Sequence, residues 1–97
     1  MPPKRFSSEF LRSMRNDIAI SDLIRYHLDL PWKDRDDYLR FLCPLCDEFH
    51  TATNSETNLA RCFRCRINFN PIDLVMAVEG CRFVDAVKFL AQLRDTE

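Results

Sequence analysis

The 97 residues are 46% apolar and 30% charged, with one Gly and five Pro, a composition that predicts a single small globular domain over 1–97. No apolar run approaches the ~20 residues of a membrane helix, and Met1-Pro2-Pro3-Lys4-Arg5-Phe6 lacks the apolar stretch of a secretion signal. A formal net charge of −1 excludes a protein that coats nucleic acid by bulk charge, which carries a basic excess.

In chain order, residues 7–14 open like a short helix, with Ser as N-cap and an early Glu, on a weak apolar pattern. The stretch 17–28 is better marked. Ile18, Ser21, Leu23, Ile24, His27 and Leu28 recur at a period near 3.6 and predict an amphipathic helix, with His27 in its core or on its rim. Pro31 then ends the helix or begins a loop over 32–37. Asp34, Asp36 and Asp37 in that loop resemble a Mg²⁺ cluster, but Lys33 and Arg35 stand among them and Gly80 is the only Gly, so a solvated turn is the expectation. Residues 38–42 are β-rich and run into Cys43. Residues 49–53 and 58–62 are the next two strands, with 54–57 as the turn between them.

Two Cys-x-x-Cys pairs frame these strands. Cys43-Pro44-Leu45-Cys46 and Cys62-Phe63-Arg64-Cys65 are separated by a 15-residue spacer, which fits the four-cysteine zinc signature. A hairpin of that length brings four thiolates to one point, a closed tetrahedral Zn²⁺ site with no open position for substrate. The zinc is therefore structural, one ion per chain, and no small-molecule substrate is expected there. Disulfides and buried free thiols are the alternatives. With no secretion signal a cytoplasmic, reducing setting is expected, where paired Cys read as metal ligands. His50 in the spacer is redundant beside a complete Cys₄ set, and Cys81 is left over as a buried small hydrophobe. Four protons lost against one Zn²⁺ gained would lower the net charge of −1 by a further two.

The cleanest local signal follows. Asn70-Pro71-Ile72-Asp73 places a cap, a Pro at the first helical position and an acid at the positive end of the helix dipole, and predicts a helix over 71–79 that Gly80 stops. Leu74, Val75 and Val78 form its apolar face. A last helix over 83–93 buries Phe83, Ala86, Val87, Leu90 and Leu93, and residues 94–97 fray. The fold class is α+β: a small antiparallel zinc-ribbon sheet with a core over 38–66, packed with N-terminal and C-terminal helices. So small a sheet cannot stand alone. No catalytic constellation is present, so the expectation is not an enzyme. Arg61, Arg64 and Arg66 alternate around the second Cys pair with no acid between them, whereas 47–60 hold Asp47, Glu48 and Glu56 and no Lys or Arg. Those three Arg read either as a solvated rim or as phosphate contacts.

This order of elements resembles the N-terminal zinc-binding domain of bacterial-type replicative DNA primases, the CHC-type zinc finger. The resemblance runs from about Ile18 to Leu93. It is carried by Ile20-Ser21-Asp22-Leu23-Ile24, by Leu42-Cys43-Pro44, by Cys62-Phe63-x-Cys65, and above all by Ile72-Asp73-Leu74-Val75-Met76-x-x-Glu79-Gly80-x-x-Phe83-x-Asp85-Ala86-Val87. Three features depart from the family. Cys46 stands where it usually has His. Its Gly-rich stretch after the last Cys is replaced by Arg66-Ile67-Asn68-Phe69-Asn70, and the shorter spacer aligns poorly at Asp47-Glu48-Phe49-His50.

The resemblance implies a module that binds single-stranded template DNA and aids primer initiation, while a separate catalytic primase or polymerase domain joins nucleotides. Tyr38, Phe49 and Phe63 are then candidates to stack on bases, and Arg40, Arg61, Arg64 and Arg66 to contact phosphate. Phe63 serves equally as a packing residue against the helices. The competing reading is a protein-interaction zinc module that docks on a polymerase, primase or helicase with little DNA contact. A small zinc-ribbon transcription regulator is the third.

Overall fold

The computed structural model describes residues 6–34 and 38–96. Arg35, Asp36 and Asp37 of the expected acidic turn, the start before Phe6 and the final Glu97 lie outside them. Helix α1 spans Ser8–Asn16, where the Ser7 hydroxyl accepts from Phe10 N–H at 3.0 Å and caps it. It ends at Asp17, whose backbone N–H reaches Ser13 O at 2.8 Å while the Ser13 hydroxyl donates to its carboxylate.

Instead of one helix over 17–28, the chain turns at Asp17 and restarts as α2, Ile20–Asp22, which runs into a single π turn, Leu23–His27. Ala19, the cap of α2, has no side chain to offer a hydrogen bond. That service comes from Asn58, 38 residues away, whose Oδ1 accepts from Ile20 N–H at 2.8 Å. Leu28 N–H closes the π turn on Leu23 O at 2.9 Å. The expected apolar stripe is buried at Ile18, Leu23, Ile24 and Leu28, with His27 half-buried at its rim.

Residues 32–34, expected in a loop, form strand β1, Trp32–Asp34, which pairs antiparallel with β2, Leu39–Phe41. A second sheet follows: β3 Thr51–Asn54, β4 Leu59–Cys62 and β5 Ile67–Phe69, ordered β3-β4-β5 and antiparallel throughout. β5 had no counterpart among the expected strands. Its three residues are too few to show a period, and pairing with β4 is what makes them a strand.

Threonine side chains join the two sheets. Thr51 Oγ1 accepts from Phe41 N–H at 2.8 Å and donates to Phe41 O at 2.6 Å, and Thr53 Oγ1 accepts from Leu39 N–H at 3.3 Å. The alternation Thr51-Ala52-Thr53 sends both hydroxyls to one edge, where they stand in for a ladder that β2 and β3 do not make with their backbones. Thr51 is 2% exposed, so water cannot replace it. Thr51→Val keeps the shape and removes both bonds, leaving a buried N–H and C=O unpaired. It should cost about 2–4 kcal/mol, read from the denaturant midpoint of the zinc-loaded protein. A loss below ~0.5 kcal/mol would mean that the hydroxyl does not hold the sheets together.

Helix α3, Pro71–Glu79, has the cap its sequence announces. Asn70 Oδ1 accepts from Asp73 N–H at 2.8 Å, the Asp73 carboxylate accepts from Asn70 N–H at 3.3 Å, and Gly80 ends the helix at φ 63°. Helix α4 spans Phe83–Thr96. Its Ala86, Val87 and Leu90 are fully buried with Leu74 and Val75 of α3, Met14 of α1 and Phe41 of β2 in one core. Phe83, expected inside, is 41% exposed and meets Phe6 edge-on at 6.5 Å. Cys81 is half-buried, beside a surface groove between β5 and α3 that Met76 and Ala77 also line. Among the described residues, no helix is long and apolar enough to cross a membrane.

Candidate metal centre and nucleic-acid interface

Two turns of the same design hold the cysteines. Strand β2 delivers Cys43 and β4 carries Cys62, both fully buried, while Cys46 and Cys65 are half-buried on the solvent side. The residue after each pair, Asp47 and Arg66, is left-handed at φ 58°. That bend suits Asp but costs a long side chain such as Arg about 1–2 kcal/mol. The first turn is closed by Asp47 N–H on Cys43 O at 2.9 Å and Cys43 N–H on Glu48 O at 3.0 Å, and Phe63 N–H on His50 O at 2.8 Å ties the second turn to the first.

These turns bring all four Sγ atoms within 4.8 Å of one another. Cys43 and Cys65 sulfurs are 3.9 Å apart, and those of Cys46 and Cys62 are 3.7 Å apart. A regular tetrahedron with ~2.3 Å Zn–S bonds has edges of ~3.8 Å, so these two pairs stand at zinc-binding separations and the whole set lies within about 1 Å of them. Leu45 N–H donates to Cys43 Sγ and Cys65 N–H to Cys62 Sγ, both at 3.4 Å, which orients the lone pairs and offsets part of the thiolate charge. The set fits one Zn²⁺ and has no fifth donor among the described residues.

The thiols interact strongly. Burial raises Cys43, although N–H groups of Leu45 and Cys46 partly offset it. Burial also pushes up Cys65, to about 12, assisted by the neighbouring sulfurs of Cys46, Cys62 and Cys43. Cys62 is buried too, yet the Cys65 N–H and the other three thiols outweigh burial and lower it to about 7.

The outer face of the sheets carries rings with cations against them. Arg61 pairs across the ladders with Ala52 and Asn68, donates to Asn68 Oδ1 at 3.2 Å, and sits 5.7 Å from the Phe63 ring centroid. Phe63 is 56% exposed, so its packing is against this Arg and not the helices. Arg40 donates to the Tyr38 hydroxyl at 3.2 Å and lies 5.7 Å from that ring, and its Nε is buried with no partner among the described residues. Lys33, opposite Arg40 in the β1–β2 ladder, stands 4.4 Å from the half-buried Phe49 ring.

Tyr38, Arg61, Phe63 and Asn68 line one open groove of about 640 Å³ over β3 and β4. Arg64 falls outside this set, pairing with Glu48 at 3.6 Å, and Arg66 is exposed at its left-handed turn. Sequence reasoning missed Lys33 and Asn68. A signal for Asn68 existed, since it lies two residues beyond Arg66 in a stretch rich in hydrogen-bonding side chains. Lys33 had none, because its role depends on a pairing with Arg40 across an unforeseen strand.

A family model described as the CHC2 zinc finger, a DnaG-type zinc ribbon, matches residues 6–97. No curated protein matches the chain.

Proposed function

The chain belongs to the CHC2 zinc-finger family, typical of DNA primases, in which the zinc ribbon is a non-catalytic module, and from that premise we propose that it binds single-stranded template DNA and aids primer initiation. The observation that carries this reading is the trio of cation–aromatic pairs, Lys33–Phe49, Arg40–Tyr38 and Arg61–Phe63, of which Tyr38, Arg61 and Phe63 line the groove. Rings supply stacking for unpaired bases and the adjoining cations meet phosphates, which is how single strands are held without a large basic patch. Zinc holds the two turns that support this surface. Nucleotide joining would belong to a catalytic primase or polymerase domain acting with it, and a replicative helicase is the other expected partner. That work places the protein in the cytoplasm.

Of the four Arg put forward from sequence, Arg61 and Arg40 have support as phosphate contacts. Arg64 is offset by Glu48. Fluorescence anisotropy with labelled single-stranded oligonucleotides should show affinity for the zinc-loaded protein that falls between about 50 mM and about 200 mM salt. Phe63→Ala and Arg61→Ala should each weaken it about tenfold, and Arg64→Ala should change it little. No binding at low salt would discard the reading. The net charge of −1 favours a second one, in which the module docks on a polymerase or helicase and scarcely touches DNA. Pull-down of a catalytic primase subunit by a protein without affinity for oligonucleotides would establish that reading.

A further inference from the structure

The groove over β3 and β4 holds opposite charges that do not meet. Arg61 and Glu56 both line it, together with the Tyr38 and Phe63 rings. No ion pair joins the two among the described residues. Arg61 gives one terminal nitrogen to Asn68 Oδ1, which leaves Nε and the other terminal nitrogen as a donor fork. A carboxylate beside a phosphate chain repels it. Glu56 is tolerable in a single-strand groove only if the strand brings donors for it.

Both charged groups stand on fixed backbone. Arg61 lies between Ala52 of β3 and Asn68 of β5 in one row across the sheet, and Ala52 puts no long side chain over that flank. Glu56 is on the turn from β3 to β4. There Asn54 Oδ1 accepts from Glu56 N–H at 2.9 Å and from Thr57 N–H at 3.4 Å. Asn58 anchors the far end of the turn to Ile20, Arg15 and Ile18. A turn set in advance lowers the ordering cost of binding.

Bases differ in what they offer such a pair. Two adjacent N–H donors satisfy a carboxylate, and two adjacent acceptors satisfy the guanidinium fork. Guanine presents both sets: N1–H and the 2-amino group on its Watson–Crick edge, O6 and N7 on the neighbouring edge. Adenine, cytosine and thymine each give a carboxylate a single donor group. Tyr38 and Phe63, 36% and 56% exposed, supply ring faces on which the base stacks.

We propose that this groove selects guanine in single-stranded DNA, with Glu56 accepting from N1–H and the 2-amino group and Arg61 donating to O6 and N7. This selectivity rests on the sheet face being a single-strand site, and adds a base preference to it.

The test is fluorescence anisotropy of the zinc-loaded chain with labelled oligo(dT) of about twelve nucleotides, either plain or with one central dG, dA, dC or inosine. The dG strand should bind about tenfold tighter than the plain, dA and dC strands. Inosine keeps O6 and N7 but lacks the 2-amino group, and should lose most of that gain. Glu56→Ala should make dG and inosine bind alike and should tighten the plain strand, since a repelling charge is gone. Glu56 is exposed, so its truncation leaves the core intact, which unchanged zinc content and circular dichroism verify.

Equal affinity for the dG and plain strands would overturn the proposal and leave the single-strand reading standing. No affinity for any strand would overturn both. Tighter binding of dA or dC than of dG, or a preference for dG over inosine that survives in Glu56→Ala, would also overturn the proposal.

Discussion

Chelation of the zinc should unfold the ribbon, residues 38–66, while part of the helical signal survives. A structural zinc contributes an apparent ~10–16 kcal/mol at neutral pH, against the ~5–15 kcal/mol by which whole domains are stable. The strands it fastens have three or four residues each, and a sheet of that size has little apolar area of its own. Cys43 and Cys62 are also fully buried core residues, so their release opens the core from the sheet side. Helices α1, α3 and α4 share Met14, Leu74, Val75, Ala86, Val87 and Leu90, which is the contact set expected to outlast the metal.

Hydrogen exchange with and without chelator reads the two regions separately. Protection of the β3, β4 and β5 amides that persisted in the metal-free protein would refute a zinc-dependent ribbon. Acid should act in the same direction. Bound to zinc, the thiols are held ionised, well below the ~8.5 of a free cysteine. Their stabilisation is thus complete above the free value and lost as pH falls through the bound value. Cys43 and Cys65, which keep their protons above neutral pH without metal, release them on binding, while Cys62 contributes a proton only below about 7. Zinc affinity should therefore weaken steadily from pH 8 to pH 5, measured by competition with a chromophoric chelator.

Substituting Asn58 with Ala should cost about 3–4 kcal/mol, a large effect for a half-buried polar side chain. Its Oδ1 accepts from Ile20 N–H at 2.8 Å, and its Nδ2 donates to Arg15 O at 2.6 Å and Ile18 O at 2.8 Å. Those three groups belong to the break between α1 and α2, where Ala19 supplies no cap. Asn58 is left-handed as well, at φ 56°, a conformation Asn adopts readily and Ala does not.

Two further variants divide the cost. Asn58→Gly keeps the backbone conformation and loses every side-chain bond. Asn58→Asp keeps the acceptor for Ile20 N–H and loses both donors. The expected order of stability is wild type, then Asp and Gly, then Ala, by chemical denaturation of the zinc-loaded protein. An Ala variant as stable as Gly would remove the backbone part of the argument.

Asn58 also shows where sequence reading stops. Within 58–62 it read as the start of a strand, because alternation and turn composition act over a few residues. Its partners lie 38 to 43 residues earlier. Thr51 is a similar case: its period-2 alternation with Thr53 was visible, but not that the hydroxyls would replace backbone pairing to β2. The helix expected over 17–28 shows the same limit from the other side. Its apolar period is real, yet Asn58 fixes the restart at Ile20 and the last turn widens to π, neither of which periodicity encodes.

What the sequence determined by itself was short-ranged or chemically exclusive. Asn70, Pro71 and Asp73 make a cap whose partners are three residues apart, and two Cys-x-x-Cys pairs in one chain leave few uses for their thiols but a shared metal. The tertiary structure alone decided the surface. It set Arg61 on Phe63 and Arg40 on Tyr38, withdrew Arg64 to Glu48, added Lys33 on Phe49, set Arg25 on Trp32 and left Tyr26 exposed. The physical reason is range. Caps and ligand spacings are satisfied within a turn or a hairpin, whereas a side chain's exposure and charge partner depend on which strand or helix arrives beside it.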